Sequence, residues 1–205
     1  MVTETRKAGE FLISEGNGNI SREEITVLSG EDLVAGTVLG KVTNAGATAA
    51  AAAGNTGDGA MGAITVSTGA KAGVYKLTFI EPGTNVGTFI VEDPDGINVG
   101  TGVVATAFSG GGLAFTLADG AADFISGDSL DITVAAGSGK YVAYDDTATD
   151  GSEVAAGILY ADCDATSGDT IATAVVRDAE VSSALLTGSD AAGVIDLAAI
   201  NIIVR

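Results

Sequence analysis

Gly139-Lys140-Tyr141-Val142-Ala143-Tyr144-Asp145-Asp146-Thr147-Ala148-Thr149-Asp150-Gly151-Ser152-Glu153-Val154-Ala155-Ala156-Gly157-Ile158-Leu159 is the stretch on which the reading of this chain turns. Residues 140–144 have strand composition, rich in aromatic and β-branched side chains. Two acidic turns follow, Asp145-Asp146 and Asp150-Gly151. Residues 156–161 then read as a second strand. Upstream, Thr37-Val38-Leu39-Gly40-Lys41-Val42 has the same strand composition. Between these two matching segments the chain passes through Ala45 to Gly59 at one side and Ala135-Ala136-Gly137-Ser138-Gly139 at the other. Both stretches have the composition of flexible junctions.

The block between the junctions has its own period of two. Ile64 and Val66; Tyr75, Leu77 and Phe79; Phe89 and Val91; Leu113, Phe115 and Leu117; and Leu130, Ile132 and Val134 each alternate with smaller or polar residues, as half-buried strands require. Five or six such strands are enough to close a small sandwich. Asn85-Val86-Gly87-Thr88 recurs as Asn98-Val99-Gly100-Thr101, a local echo read as two similar entries from turn to strand. Beyond Leu159, residues 170–178 read as another strand. Residues 190–199 read as one short helix, with Ser189 as N-cap and Val194, Leu197 and Ala198 on its apolar side. Asn201 to Arg205 finishes extended. The fold class expected is mainly β, with one short C-terminal helix.

At the other end, Phe11, Leu12 and Ile13 are separated from Ile25, Val27 and Leu28 by Gly16-Asn17-Gly18-Asn19. Such short apolar clusters set among polar residues cannot make a core alone, because burial must offset the entropy of ordering the chain. They need a partner surface, either their own domain or another protein on which residues 1–35 order as an arm.

Composition narrows the functions. The 205 residues carry 27 acidic and 9 basic side chains and no His, for a net charge of −18. Nucleic acid binding needs clustered Lys and Arg, so a surface this negative argues against it. Without His, the common zinc sites and the Ser/His and Cys/His nucleophile pairs are absent, and Cys163 alone cannot form an intrachain disulfide; it is expected as a buried free thiol. Residues 1–10 are polar and show no secretory signal, and no run of about 18 strongly apolar residues suggests a bilayer span.

The motifs that resemble catalytic or ligand signatures fail on detail. Gly100-Thr101-Gly102-Val103-Val104-Ala105 fits the dinucleotide fingerprint formally, but that motif must open a helix and here a strand follows. Gly40-Lys41-Val42 resembles the end of a phosphate loop, yet Ala35 stands where Gly is needed and Val42 has no hydroxyl for magnesium. Asp93-Pro94-Asp95-Gly96 echoes a calcium loop, but it places Val91 and Gly102 where acids are required. Asp145, Asp146, Asp150, Asp162 and Asp164 are either solvated turn carboxylates or ligands gathered around a cation in an assembly. A glycosidase needs a cleft and an aromatic platform as well as paired carboxylates, and there is no Trp. Tyr75, Phe79, Phe89, Phe108 and Phe115 are expected in the core. No catalytic, cofactor-binding or metal-ligating residue is nominated.

Residues 139–159, together with Glu10-Phe11-Leu12-Ile13-Ser14-Glu15-Gly16 through Leu39-Gly40-Lys41-Val42, resemble the central and amino-terminal segments of phage lambda-type head decoration proteins. In that family the counterparts of residues 37–42 and 140–144 are neighbours in sequence, so the resemblance implies a hairpin opened by an insertion. It implies a small β-rich decoration-protein body from residues 36–44 and 139–205, an amino-terminal capsid-binding arm at residues 1–35, and an inserted β-sandwich-like domain at residues 45–138. It further implies a structural protein and no enzyme: a homotrimer on the outer face of a tailed-phage capsid, made in the host cytoplasm, that staples the major capsid protein against internal pressure. The candidate capsid contacts are Phe11, Leu12, Ile13, Ile25, Val27 and Leu28. A rival reading is a surface-displayed adhesion module whose inserted domain binds a host surface or glycan.

Overall fold

A computed structural model describes residues 6–17, 20–67 and 69–205. Residues 1–5 of the expected arm, and Gly18 and Asn19 of its linker, lie outside the described residues. Chain contacts divide the protein into two units, Met1–Val42 with Gly139–Arg205, and Thr43–Ser138. The fold is mainly β, with one short C-terminal helix.

The first unit is built on a closed barrel in which Tyr141–Ala143, Arg22–Val27, Thr170–Val175, Ala155–Leu159 and Val38–Lys41 follow one another around the ring. Three of these strands carry two buried apolar residues in succession: Val38 and Leu39, Ile158 and Leu159, Ala174 and Val175. Successive side chains leave a strand on opposite faces, so a strand covered on both sides reads as a continuous apolar run. Here Leu39, Leu159 and Ala174 join Ile25, Val27 and Cys163 in one cluster. Val38, Ile158 and Val175 join a second one with Phe11, Tyr144, Val181, Leu197 and Ile202. That second cluster is closed by a three-stranded sheet, Leu12–Glu15, Ala179–Val181 and Ile202–Val204, and by the helix Ala191–Ala199.

Val38–Lys41 pairs antiparallel with Tyr141–Ala143, with Lys41 opposite Tyr141 and Leu39 opposite Ala143. It also pairs with Ala155–Leu159 on its other side. Gly40 is required there, because a Cβ on it would lie 2.2 Å from the Ser152 carbonyl oxygen.

The helix starts one residue later than its sequence suggests. Asp190, rather than Ser189, is the N-cap: it is extended, and its carboxylate accepts from the Gly193 N–H at 2.6 Å. Aspartate caps as well as serine does. Here it also accepts from the Tyr144 hydroxyl at 3.1 Å. Burial first, and then the bond to Asp190 and the nearby carboxylates, push the Tyr144 pKa up to about 12. Leu197 lies inward and Val194 is half-buried, whereas Ala198 faces solvent because Gly193 takes the inward position beside Tyr144.

The second unit has two sheets. One orders Asn44–Ala51, Ser129–Ala136, Gly73–Gly83, Val86–Glu92 and Asn98–Val103; the other orders Ala107–Gly110, Leu113–Thr116 and Thr65–Val66. The alternating residues read from the sequence meet in one core, from Val66 through Tyr75, Leu77, Phe79, Phe89, Val91, Leu113, Phe115, Leu117, Leu130 and Ile132 to Val134, with Ile64 packed at its margin. Phe79 stacks on Phe124 with ring centroids 4.1 Å apart.

The Ala-rich stretch expected as a flexible junction is ordered. Asn44–Ala51 is an edge strand whose Ala47 and Ala49 lie opposite Val134 and Ile132 and pack at the core's margin. Residues 55–57 are then tied down by the far end of the same sheet. The buried Asp128 carboxylate accepts N–H groups from Thr56 (3.1 Å), Gly57 (2.9 Å) and Ile125 (3.1 Å). Asn55 exchanges hydrogen bonds with the Ser129 backbone in both directions.

Burial alone would raise the Asp128 pKa, but the Gly57, Ile125 and Thr56 N–H groups outweigh it and hold the carboxyl below its usual value. Because the native pKa is the lower one, its contribution to stability is complete above the ordinary carboxylate value of about 4 and is lost as pH falls through the native value. Asp128→Ala is therefore expected to destabilise the protein by about 2–3 kcal/mol at neutral pH, the loss of hydrogen bonds to a buried charge. Urea unfolding followed at pH 7 and at pH 3 checks this: the gap between variant and wild type should narrow in acid.

Candidate functional site

The six residues nominated from sequence do not form one surface. Phe11, Ile25 and Val27 are interior, at 1%, 5% and 0% exposure. Leu12 packs at the margin of the Phe11 cluster, and Leu28 is half-buried with its N–H donating to the Tyr141 carbonyl. Of the six, Ile13 is the one that faces solvent, at 56% exposure. The described part of residues 6–35 pairs with strands of the first unit.

The physical reason lies in the partners. Leu12–Glu15 pairs with Ala179–Val181, and Arg22–Val27 lies between Thr170–Val175 and Tyr141–Ala143. Each apolar cluster is too small for a core of its own, yet each completes a core whose other walls come from the far end of the chain. Phe11 meets Val181 and Ile202 in this way, and Ile25 and Val27 meet Ala174 and Leu159. An irregularity between Leu12 and Ser14 interrupts the ladder at Ile13, which leaves that side chain pointing outward.

Around Ile13 the outer face of the three-stranded sheet is mixed. The Ser14 hydroxyl donates to Glu180 at 3.0 Å, and Arg205 reaches the other oxygen of Glu180 at 2.6 Å. These two contacts, Arg205 first, hold the Glu180 carboxyl below its usual range. Ile203, paired in register with Glu180, is 47% exposed. A shallow depression opens here between Ser14, Glu15, Gly16, Asp178, Asn201 and Ile203. Its wall is stiffened by Arg22, which grips Glu15 with two hydrogen bonds at 2.6 and 2.8 Å while lying over the Tyr160 ring at 4.0 Å. Ile203 was not singled out by sequence reading. It sits in an apolar run, Ile202-Ile203-Val204, whose exposed member is decided by which face the helix covers.

The acidic turns serve the backbone. Asp145 accepts from the N–H and hydroxyl of Thr147, Asp150 from those of Ser152, and Asp164 from those of Thr166, the same two-residue clasp three times. These bonds hold the Asp145 and Asp164 carboxyls below the usual range. Asp162 accepts from the Ala35 N–H at 2.7 Å. Among the described residues, no three acidic or thiol side chains converge in a way that would hold a metal. Asp93 is likewise a turn residue: Lys71, then the N–H groups of Ile97 and Asp95, keep its carboxyl ionised. Cys163 is buried, and burial pushes its thiol up, away from the reactive thiolate. No helix among the described residues is long and apolar enough to cross a membrane.

Comparison with protein families supplies the class. Residues 1–202 match the model of the bacteriophage lambda head decoration protein D family, and the chain belongs to that family. This makes it a structural component of a phage capsid, carried at the capsid's outer surface. No curated protein matches the chain. Among solved structures, FlgL of Xanthomonas campestris is similar at 20% identity over 50% of this chain and 33% of its own length, with a TM-score of 0.35. The flagellar junction protein FlgL of Legionella pneumophila is similar at 16% identity over 50% of this chain and 37% of its own, with a TM-score of 0.36. This chain thus spans about a third of the length of those two FlgL chains.

Because Phe11 is a fully buried core residue here, Phe11→Ala is expected to destabilise the first unit by about 3–5 kcal/mol, as truncation of a core aromatic does. The check is chemical unfolding of the free protein. A cost under about 0.5 kcal/mol would return Phe11 to a detached arm.

Proposed function

We propose that the protein binds the expanded phage shell as a homotrimer at local three-fold positions and staples neighbouring coat subunits against the pressure of packaged DNA. The family match across residues 1–202 carries this reading. Two features of the chain support it. The excess of acid over base makes a surface that avoids nucleic acid and stays dispersed until a complementary partner is met. A trimer also repeats each modest contact three times, so that avidity replaces a single tight interface.

Within this reading, coat contact falls to the outer face of the sheet containing Ile13 and Ile203, since the other nominated residues, Phe11, Leu12, Ile25, Val27 and Leu28, are buried or half-buried in the body. Ile13→Ser is expected to leave unfolding stability within about 0.5 kcal/mol of wild type, as exposed substitutions do, while weakening co-sedimentation with expanded capsids. Unchanged binding would move the contact elsewhere on the protein.

The unit Thr43–Ser138 is proposed as an inserted accessory domain. It has its own aromatic core, and its ends are held together by the Gly137 N–H donating to the Thr43 carbonyl at 3.0 Å. In the first unit, the Val42 N–H donates to Lys140 and the Gly139 N–H to Val42, the bonds of a hairpin end. Excision of residues 43–138 with a two-residue Gly-containing turn is expected to give a folded protein that still decorates capsids. Circular dichroism and electron cryo-microscopy of decorated shells check the two halves of that expectation. A shortened protein that folds but leaves shells bare would make Thr43–Ser138 part of the stapling contact. Tyr75, Phe79, Phe89, Phe108, Phe115 and Phe124 are all buried, so the adhesive alternative has no aromatic surface in this unit to rest on.

A further inference from the structure

We draw no further inference here: the strongest candidate, the solvent-facing side of the C-terminal helix formed by Ala191, Ala192, Ile195, Ala198 and Ala199, is an uncharged stripe of mostly small residues, and nothing in the structure shows what covers it.

Discussion

The first unit depends on one strand pairing made across a long gap in sequence. Val38–Lys41 must find Tyr141–Ala143, with the whole of residues 43–138 between them. Without that pairing the barrel has two open edges, and an open edge is both unstable and a template for unwanted partners. The entropy of closing a loop grows only logarithmically with its length, so a long intervening segment is tolerated. It is tolerated better still when the segment is folded and its own ends are held together, as Thr43 and Gly137 are by a hydrogen bond. The joint is made of backbone bonds at Val42, Gly139 and Lys140, and side-chain identity there matters little. Gly40 is the exception, since the turn that carries Ser152 passes directly over it.

Closure also explains how a protein with so few large side chains is stable. Where a strand is buried on both faces, each residue along it contributes to a core, and small Ala and Val side chains allow the layers to approach closely. Val38, Ile158 and Val175 serve one cluster while Leu39, Leu159 and Ala174 serve the other. The amino-terminal segment completes both clusters through Phe11, Ile25 and Val27. The second unit follows a different plan, with alternating strands around a ring cluster that includes Phe79, Phe89, Phe108 and Phe115. The same chain therefore uses two-sided burial in one unit and one-sided burial in the other.

Charge is organised just as consistently. Arg22, Lys71, Lys76, Lys140, Arg177 and Arg205 each meet a carboxylate. Several of the remaining carboxylates clasp backbone N–H groups in turns. Most of these pairs are exposed and individually worth little in stability. Their effect is to set turn geometry and leave a net negative surface. For a protein carried at a capsid's outer surface, that negative surface discourages association except where a partner offers complementary chemistry.

Periodicity in the sequence was sufficient to place the core of the second unit, because a strand with one wet face must alternate, and Tyr75, Leu77 and Phe79 do so without ambiguity. It was sufficient for the short helix, though not for its cap, since Ser189 and Asp190 are both good caps and only the backbone decides which one is extended. The failure of the calcium and phosphate motifs was also determined there, at Val91, Gly102, Ala35 and Val42, where the required atoms are missing. What tertiary structure decided is where the isolated apolar residues go. Phe11, Ile13, Ile25 and Ile203 look alike in a one-dimensional string, yet three-dimensional pairing buries Phe11 and Ile25 and leaves Ile13 and Ile203 outside. Nor could composition show that Asn44–Ala51 is a strand, because alanine has little strand preference of its own; Ser129–Ala136 imposes the extended form by supplying hydrogen-bond partners and a core edge shallow enough for a methyl group. Local sequence specifies a pattern of sidedness, and the identity of the covering surface comes from residues that are neighbours only in the folded chain.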